Sequence, residues 1–140
     1  MNITGACHCG DIQYEAEIDE NKVILCHCTD CQEMSGAPYR GVVITTGASL
    51  RLQGKIKDYV KTTANSGNPR AQSFCGECGT HIYATSVNAN EDPNTKKYNL
   101  RLGTVHQREQ LSPTIEIWCD SREKWVAPIE GAKQFAGSPA

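Results

Sequence analysis

The spacing of the cysteines constrains this chain more than any other feature. Cys7 and Cys9 form a C-x-C pair, Cys26, Cys28 and Cys31 a C-x-C-x-x-C triplet, and Cys75 and Cys78 a C-x-x-C pair, while Cys119 stands alone. Seven of the eight cysteines therefore lie at chelate spacing. Zinc holds thiolates about 2.3 Å away in a tetrahedron, and near neighbours in sequence supply two ligands for little loop-closure entropy. A disulfide scaffold is the competing use of so many cysteines. Eight in 140 residues is below the roughly 8–10% typical of small secreted scaffolds. A chain of this length can also build a core without covalent staples. Residues 1–7 contain neither a basic cluster nor an apolar run, so no signal peptide is expected. The aliphatic runs at 23–25 and 42–44 are far shorter than the ~20 residues of a membrane span. The expected setting is cytoplasmic with no membrane partner, where clustered cysteines mean metal or catalysis before disulfides.

The seven residues divide as four plus three. Cys75-Gly76-Glu77-Cys78-Gly79 and Cys7-His8-Cys9-Gly10 both place glycine directly after the second cysteine. Glycine adopts the positive φ that turns loop amides toward a thiolate. These pairs are read as halves of a closed structural site, Cys7, Cys9, Cys75 and Cys78. No glycine follows Cys31; a short helix is expected there over 30–34, capped by Thr29 and ended by Ser35-Gly36. Cys31 then falls in the first helical turn, where the positive end of the dipole favours a thiolate. Cys26, Cys28 and Cys31 leave a tetrahedron one ligand short, which is the form of a catalytic zinc site. A fourth ligand from His27, His81 or Cys119 would instead make it a second structural site. Local extension points His8 and His27 away from their flanking cysteines. His81 is expected to be a hydrogen-bonded structural histidine, and Cys119 a small buried hydrophobe.

Between dense glycine and proline punctuation the chain reads as short strands. Residues 11–18 alternate, with Ile12, Tyr14, Ala16 and Ile18 on one face, the pattern of a half-buried strand. Further strands are expected at 23–25, 39–45, 49–53, 59–63, 71–74, 81–85, 98–102 and 114–118, with surface loops at 65–69 and 88–94. The fold class is mainly β with at most one or two short helices. A single zinc-binding domain is expected over 1–135 and a frayed tail over 136–140. Fourteen basic and sixteen acidic residues give a formal charge of −2. The pI is near 6.1, and the basic clusters at 51–61 and 96–97 read as solvated strand faces. No nucleic-acid partner is expected, because such binders carry a basic face.

At Gly5-Ala6-Cys7-His8-Cys9-Gly10, Cys26-His27-Cys28-Thr29-Asp30-Cys31 with Gly36, and Phe74-Cys75-Gly76-Glu77-Cys78-Gly79, the chain resembles the glutathione-dependent formaldehyde-activating (GFA) family, which includes centromere protein V-like members. The resemblance extends to Ile117-Trp118 and Trp125, over roughly residues 4–126. It implies a β-rich, Mss4-like fold with a structural zinc on Cys7, Cys9, Cys75 and Cys78 and a catalytic zinc on Cys26, Cys28 and Cys31. It also implies a carbon–sulfur lyase-type reaction joining glutathione and formaldehyde into S-hydroxymethylglutathione. Two positions depart from the family pattern: Glu116-Ile117 stands where His-Ile is common, and Val105-His106 follows Gly103-Thr104 where Leu-Asp is common. Both lie outside the metal motifs and bear on substrate identity. A zinc taking a substrate thiol as fourth ligand would lower its pKa, so the expected partner is a small-molecule thiol, first of all glutathione. Tyr39, Arg40 and Trp118 are the side chains available to contact a peptide-like ligand. The competing readings are a non-catalytic zinc-stabilised module that binds a protein, and redox sensing by Cys26–Cys31.

Overall fold

The computed structural model describes residues 1–139. Among the described residues, eleven strands form two sheets, accompanied by one α-helix and three short 3-10 helices. The smaller sheet joins β1 (Asn2–Ala6), β2 (Gln13–Glu17) and β5 (Arg51–Gln53) in the order β1-β2-β5, all antiparallel. The larger contains β3 (Val23–Cys26), β4 (Arg40–Thr46), β6 (Ile56–Lys61), β7 (Arg70–Cys75), β8 (His81–Ser86), β9 (Lys97–Arg101), β10 (Ile115–Ile117) and β11 (Lys133–Gln134). Its order is β11-β10-β3-β4-β9-β8-β7-β6. Only the β11-β10-β3 end is parallel. The mainly β class expected from the sequence therefore stands.

The core lies between the sheets. Ile3, Tyr14 and Ala16 from the small sheet meet Val23, Val43, Ile82 and Leu100 from the large one, with Ile12, Ile18 and Val105 filling in from connecting segments. Strand alternation then sends the intervening residues of β3, β4 and β9 to the opposite face of the large sheet. Those residues are Ile24 and Cys26, Arg40 and Val42, and Asn99 and Arg101, which floor a cavity.

Strand ends shift by a few residues from the sequence reading, with β6 at Ile56–Lys61 rather than 59–63, and β11 is an addition to it. Three further differences have a physical reason. Strand β1 escapes detection because Gly5 occupies an inward position. A Cβ there would lie 2.2 Å from the Tyr14 ring, so the close approach of Tyr14 requires a residue that carries no hydrophobic signal. Helix α1 (Thr29–Ser35) is capped by Cys28 rather than Thr29, since the Cys31 amide donates to Cys28 Sγ, and it ends as expected at Gly36 with φ of 66°. The tail expected beyond residue 135 is tied down at its first two residues: Asp120 donates its amide to the Ala136 carbonyl and Trp118 to that of Gly137. Among the described residues, no helix is long and apolar enough to cross a membrane.

Candidate metal centres

Two clusters of thiols stand out, and each contains the residues that the spacing grouped. In the first, Cys7 follows β1, Cys9 lies in the adjoining turn, Cys75 ends β7 and Cys78 lies in the loop to β8. Their four sulfurs lie within 4.8 Å of one another. The Cys7–Cys9 and Cys9–Cys75 separations are 3.6 and 3.8 Å. Bonds of about 2.3 Å in a tetrahedron place sulfurs about 3.8 Å apart, so the donor set and its spacing fit zinc. The knuckle geometry is present on both sides, with Gly10 at φ of 83° and Gly79 at 79°. The Ile12 amide donates to Cys7 Sγ at 3.2 Å and the Glu77 amide to Cys75 Sγ at 3.4 Å. Cys7 and Cys75 are buried while Cys9 and Cys78 are exposed. Burial pushes the Cys7 thiol up, but the Ile12 amide and the neighbouring sulfurs outweigh it and hold the thiol below its ordinary range. The hydroxyl and amide of Thr80 lower Cys78 to about 5.

The second cluster is local. Cys26 ends β3, Cys28 caps α1 and Cys31 lies in its first turn, all three sulfurs within 4.8 Å. Contacts from Cys26 and Cys31 hold the Cys28 thiol far below its ordinary value, and the charge of Lys61 adds to the effect. Cys26 moves the opposite way because Cys28 and Cys31 favour its protonated form and burial adds to it. Three thiols that cannot all ionise freely together are what a cation would relieve. The helix is anchored on two sides. Asp30 accepts from Lys61 Nζ at 2.8 Å and Thr63 Oγ1 at 2.7 Å, and Gln32 Nε2 donates to the carbonyls of His27 and Ser121.

None of the three alternative fourth ligands joins this cluster. His27 is fully buried and directs Nε2 to Glu116 Oε1 at 2.8 Å, with Tyr39 packed edge-on at 5.5 Å. His81 stacks on Phe74. Its Nδ1 is buried without a hydrogen-bond partner, so packing holds it where a hydrogen bond was expected. Cys119 is not the buried hydrophobe expected: it is half-buried and accepts from Arg122 Nη2 at 3.2 Å. Among the described residues, the three-cysteine cluster gains no fourth histidine, cysteine or carboxylate.

Glu116, a departure in the sequence, is fully buried. Gln134 Nε2 donates to it at 2.6 Å and the Ile129 amide at 2.9 Å, with Arg122 at 3.2 Å and His27 on its other oxygen. Burial alone would raise its pKa, but the Gln134, Ile129 and His27 contacts and the Arg122 charge together lower it to about 2. Because Ile117 pairs with Cys26 across parallel β10 and β3, and the His27 amide donates to the Ile117 carbonyl, this network fixes the strand that delivers Cys26.

Sequence reasoning named Arg40 but missed Arg101 and Gln72, which complete the cationic side of the cluster with it. Arg40 and Arg101 are 6% and 8% exposed. Gln72 Oε1 accepts from Arg40 Nη1 at 3.2 Å and Arg101 Nη2 at 2.7 Å. Burial lowers Arg101 to about 9 and Arg40 adds to it, while the sulfurs of Cys31 and Cys26 oppose the shift. Trp118 completes the wall. It adopts φ of 57° and ψ of 41°, a left-handed conformation unusual for a bulky residue. Of the three side chains expected to meet a ligand, Arg40 and Trp118 line the cavities beside the cluster and Tyr39 packs on His27.

Fold and site together define a cysteine-rich, mainly β protein with two clusters that can each hold a metal ion. The profile of the glutathione-dependent formaldehyde-activating enzyme family matches residues 2–121, and the chain belongs to that family. A protein of Schizosaccharomyces pombe named an uncharacterized lyase is 29% identical over 84 residues, or 60% of this chain and 58% of that one. The alignment thus spans less than two thirds of that relative's length. A crystal structure of a Rhodobacter sphaeroides protein shares the fold, with a TM-score of 0.52 at 17% identity over 94% of this chain and 98% of the other.

Proposed function

We propose that this chain is a zinc-dependent carbon–sulfur lyase-type enzyme that joins glutathione, or a related thiol, to formaldehyde or another small electrophile. The observation that carries the reading is the incomplete thiol set: Cys26, Cys28 and Cys31 converge without a fourth ligand among the described residues, beside cavities that Cys28 and Trp118 line. Three sulfur donors suit zinc, and a set left open suits catalysis rather than structure. Zinc bound there would lower the pKa of an incoming thiol and present it as thiolate at neutral pH.

The chain's own residues do the rest. Cys26, Cys28 and Cys31 are the catalytic metal ligands, and Cys7, Cys9, Cys75 and Cys78 hold the structural zinc. The Asp30–Lys61 and Gln32 contacts fix the helix that carries Cys31. Trp118 screens one side from water. In the reaction the thiol sulfur attacks the aldehyde carbon, a carbon–sulfur bond forms, the carbonyl π pair moves to oxygen, and the proton lost by the thiol ends on that oxygen. A single domain over 1–135 and a cytoplasmic setting, where glutathione keeps thiols reduced, belong to the same reading.

Native mass spectrometry with and without glutathione tests it. The expected result is two zinc ions per chain and a glutathione adduct that disappears in the Cys28→Ser variant. Two tightly held metals with no thiol adduct would favour a zinc-stabilised binding module instead.

A further inference from the structure

The floor of the three-cysteine cavity contains more positive charge than the site's thiols require. Register places Cys26 opposite Arg40 and Val42 opposite Arg101 on the adjoining strands β3, β4 and β9. The two guanidinium groups are therefore diagonal neighbours on one face. Gln72 bridges them through one carbonyl oxygen. Because Gln72 is neutral, it orders the pair without balancing it. Arg40 Nε and Nη2 and Arg101 Nε are buried without hydrogen-bond partners, although both side chains are more than nine-tenths buried. Asp30, the carboxylate that shares the cavity, is engaged by Lys61 and Thr63. Lys61 and Arg70 line the same space.

Charge counting sharpens the point. Three thiolates around a divalent ion carry one net negative charge, whereas Arg40 and Arg101 supply two positive ones. A bound substrate thiolate would balance the charge, but buried donors left without acceptors are costly, and the Arg40 Nε and Nη2 and Arg101 Nε groups still need one. A thiolate sulfur offers one acceptor atom. A carboxylate offers two oxygens with about four lone pairs, matching several N–H donors held in a planar fork.

We propose that this cavity is a carboxylate subsite beside the three-cysteine centre. Its volume is about 180 Å³, room for the acid group of a two- or three-carbon molecule. The carboxylate belongs either to the electrophile, which is then a small 2-oxo acid, or to a thiol with its acid group near the sulfur. The inference rests on the proposed function for its neighbour, the thiol-binding metal, and on the unpaired guanidinium groups for itself.

The test uses cobalt-substituted protein titrated with 2-mercaptoacetate and with neutral 2-mercaptoacetamide, read in the visible spectrum. The acid should bind at least about tenfold more tightly. In Gln72→Glu, which supplies a carboxylate from within and should fold at least as well, that preference should fall to about one. Equal affinity for acid and amide in the unaltered protein overturns the subsite. Should neither thiol alter the cobalt spectrum, the open-centre reading fails, and the subsite is judged separately by ¹⁹F NMR with trifluoroacetate against trifluoroethanol. Saturable binding of trifluoroacetate that Gln72→Glu abolishes supports the subsite, and indifference to both probes overturns it. The source follows from reacting 2-mercaptoethanol with glyoxylate and with formaldehyde. Faster adduct formation with glyoxylate assigns the carboxylate to the electrophile. No such preference, with acid-selective thiol binding retained, assigns it to the thiol.

Discussion

The two thiol clusters use the same side chain for opposite ends. The four-cysteine cluster joins segments remote in sequence, since Cys9 meets Cys75 across 66 positions, and its sulfurs receive backbone amides at both knuckles. A metal held there would cross-link the small sheet's first strand to the end of β7, as the proposed structural role requires. The three-cysteine cluster comes from six consecutive positions and cross-links nothing distant. What it has instead is surroundings: a cavity, a tryptophan wall and two buried guanidinium groups. The proposed roles of brace and reactive centre rest on this contrast in span and environment as much as on ligand number.

The contrast breaks most visibly under Cys75→Ser. A structural zinc contributes apparent energies of ~10–16 kcal/mol, comparable with the whole stability of a chain this size at roughly 0.05–0.15 kcal/mol per residue. The expected outcome is loss of the cooperative unfolding transition by circular dichroism, and a normally folded variant with one metal fewer would remove the brace. Cys28→Ser should do the reverse, giving a folded protein that binds one zinc by mass spectrometry and has no adduct-forming activity; retained turnover would dissociate the cluster from the chemistry.

Glu116→Gln tests the support beneath Cys26. The carboxyl pKa is lowered in the folded state from 4.5 to about 2, so its contribution is complete above about pH 4.5 and is lost as pH falls toward 2. Urea unfolding should show the variant less stable by about 1–3 kcal/mol near neutrality, with the gap closing in acid. A gap that stays constant with pH would show that the charge is not what matters. The smallest effect is expected from Asp30→Asn, whose partly exposed pairing with Lys61 is worth about 0.5–1 kcal/mol. It should lower the melting temperature slightly and leave both metals in place.

How much was legible in advance depended on where each interaction came from. The cysteine partition could be read because ligands in each chelate group are close in sequence and the knuckle glycines declare their backbone. The strands of the core could be read where alternation was intact, as in residues 11–18. Gly5 hid β1 because its function is to be small beneath Tyr14. The site's polar half was hidden for another reason. Arg40, Gln72 and Arg101 lie on three separate strands, β4, β7 and β9, and only sheet order brings them together. Glu116 looked like a mismatch to the family pattern because its partner His27 is 89 positions away. Nothing local marks either end of that pair.

The parallel pairing of β3 with β10 has a consequence for assembly. Parallel strands cannot be closed by a hairpin, and here residues 24–26 must wait for residues 115–117. During synthesis the triplet's thiols and the buried histidine beside them emerge long before the carboxylate that orients them. Contacts so distant in sequence slow folding because the loop must close before they form. Residues 115–137 are thus a late latch: they set β10 against β3, engage His27 and bring Trp118 to the cavity. A nascent chain that has passed residue 78 holds every cysteine of both clusters, but it has no finished pocket until residues 115–118 arrive.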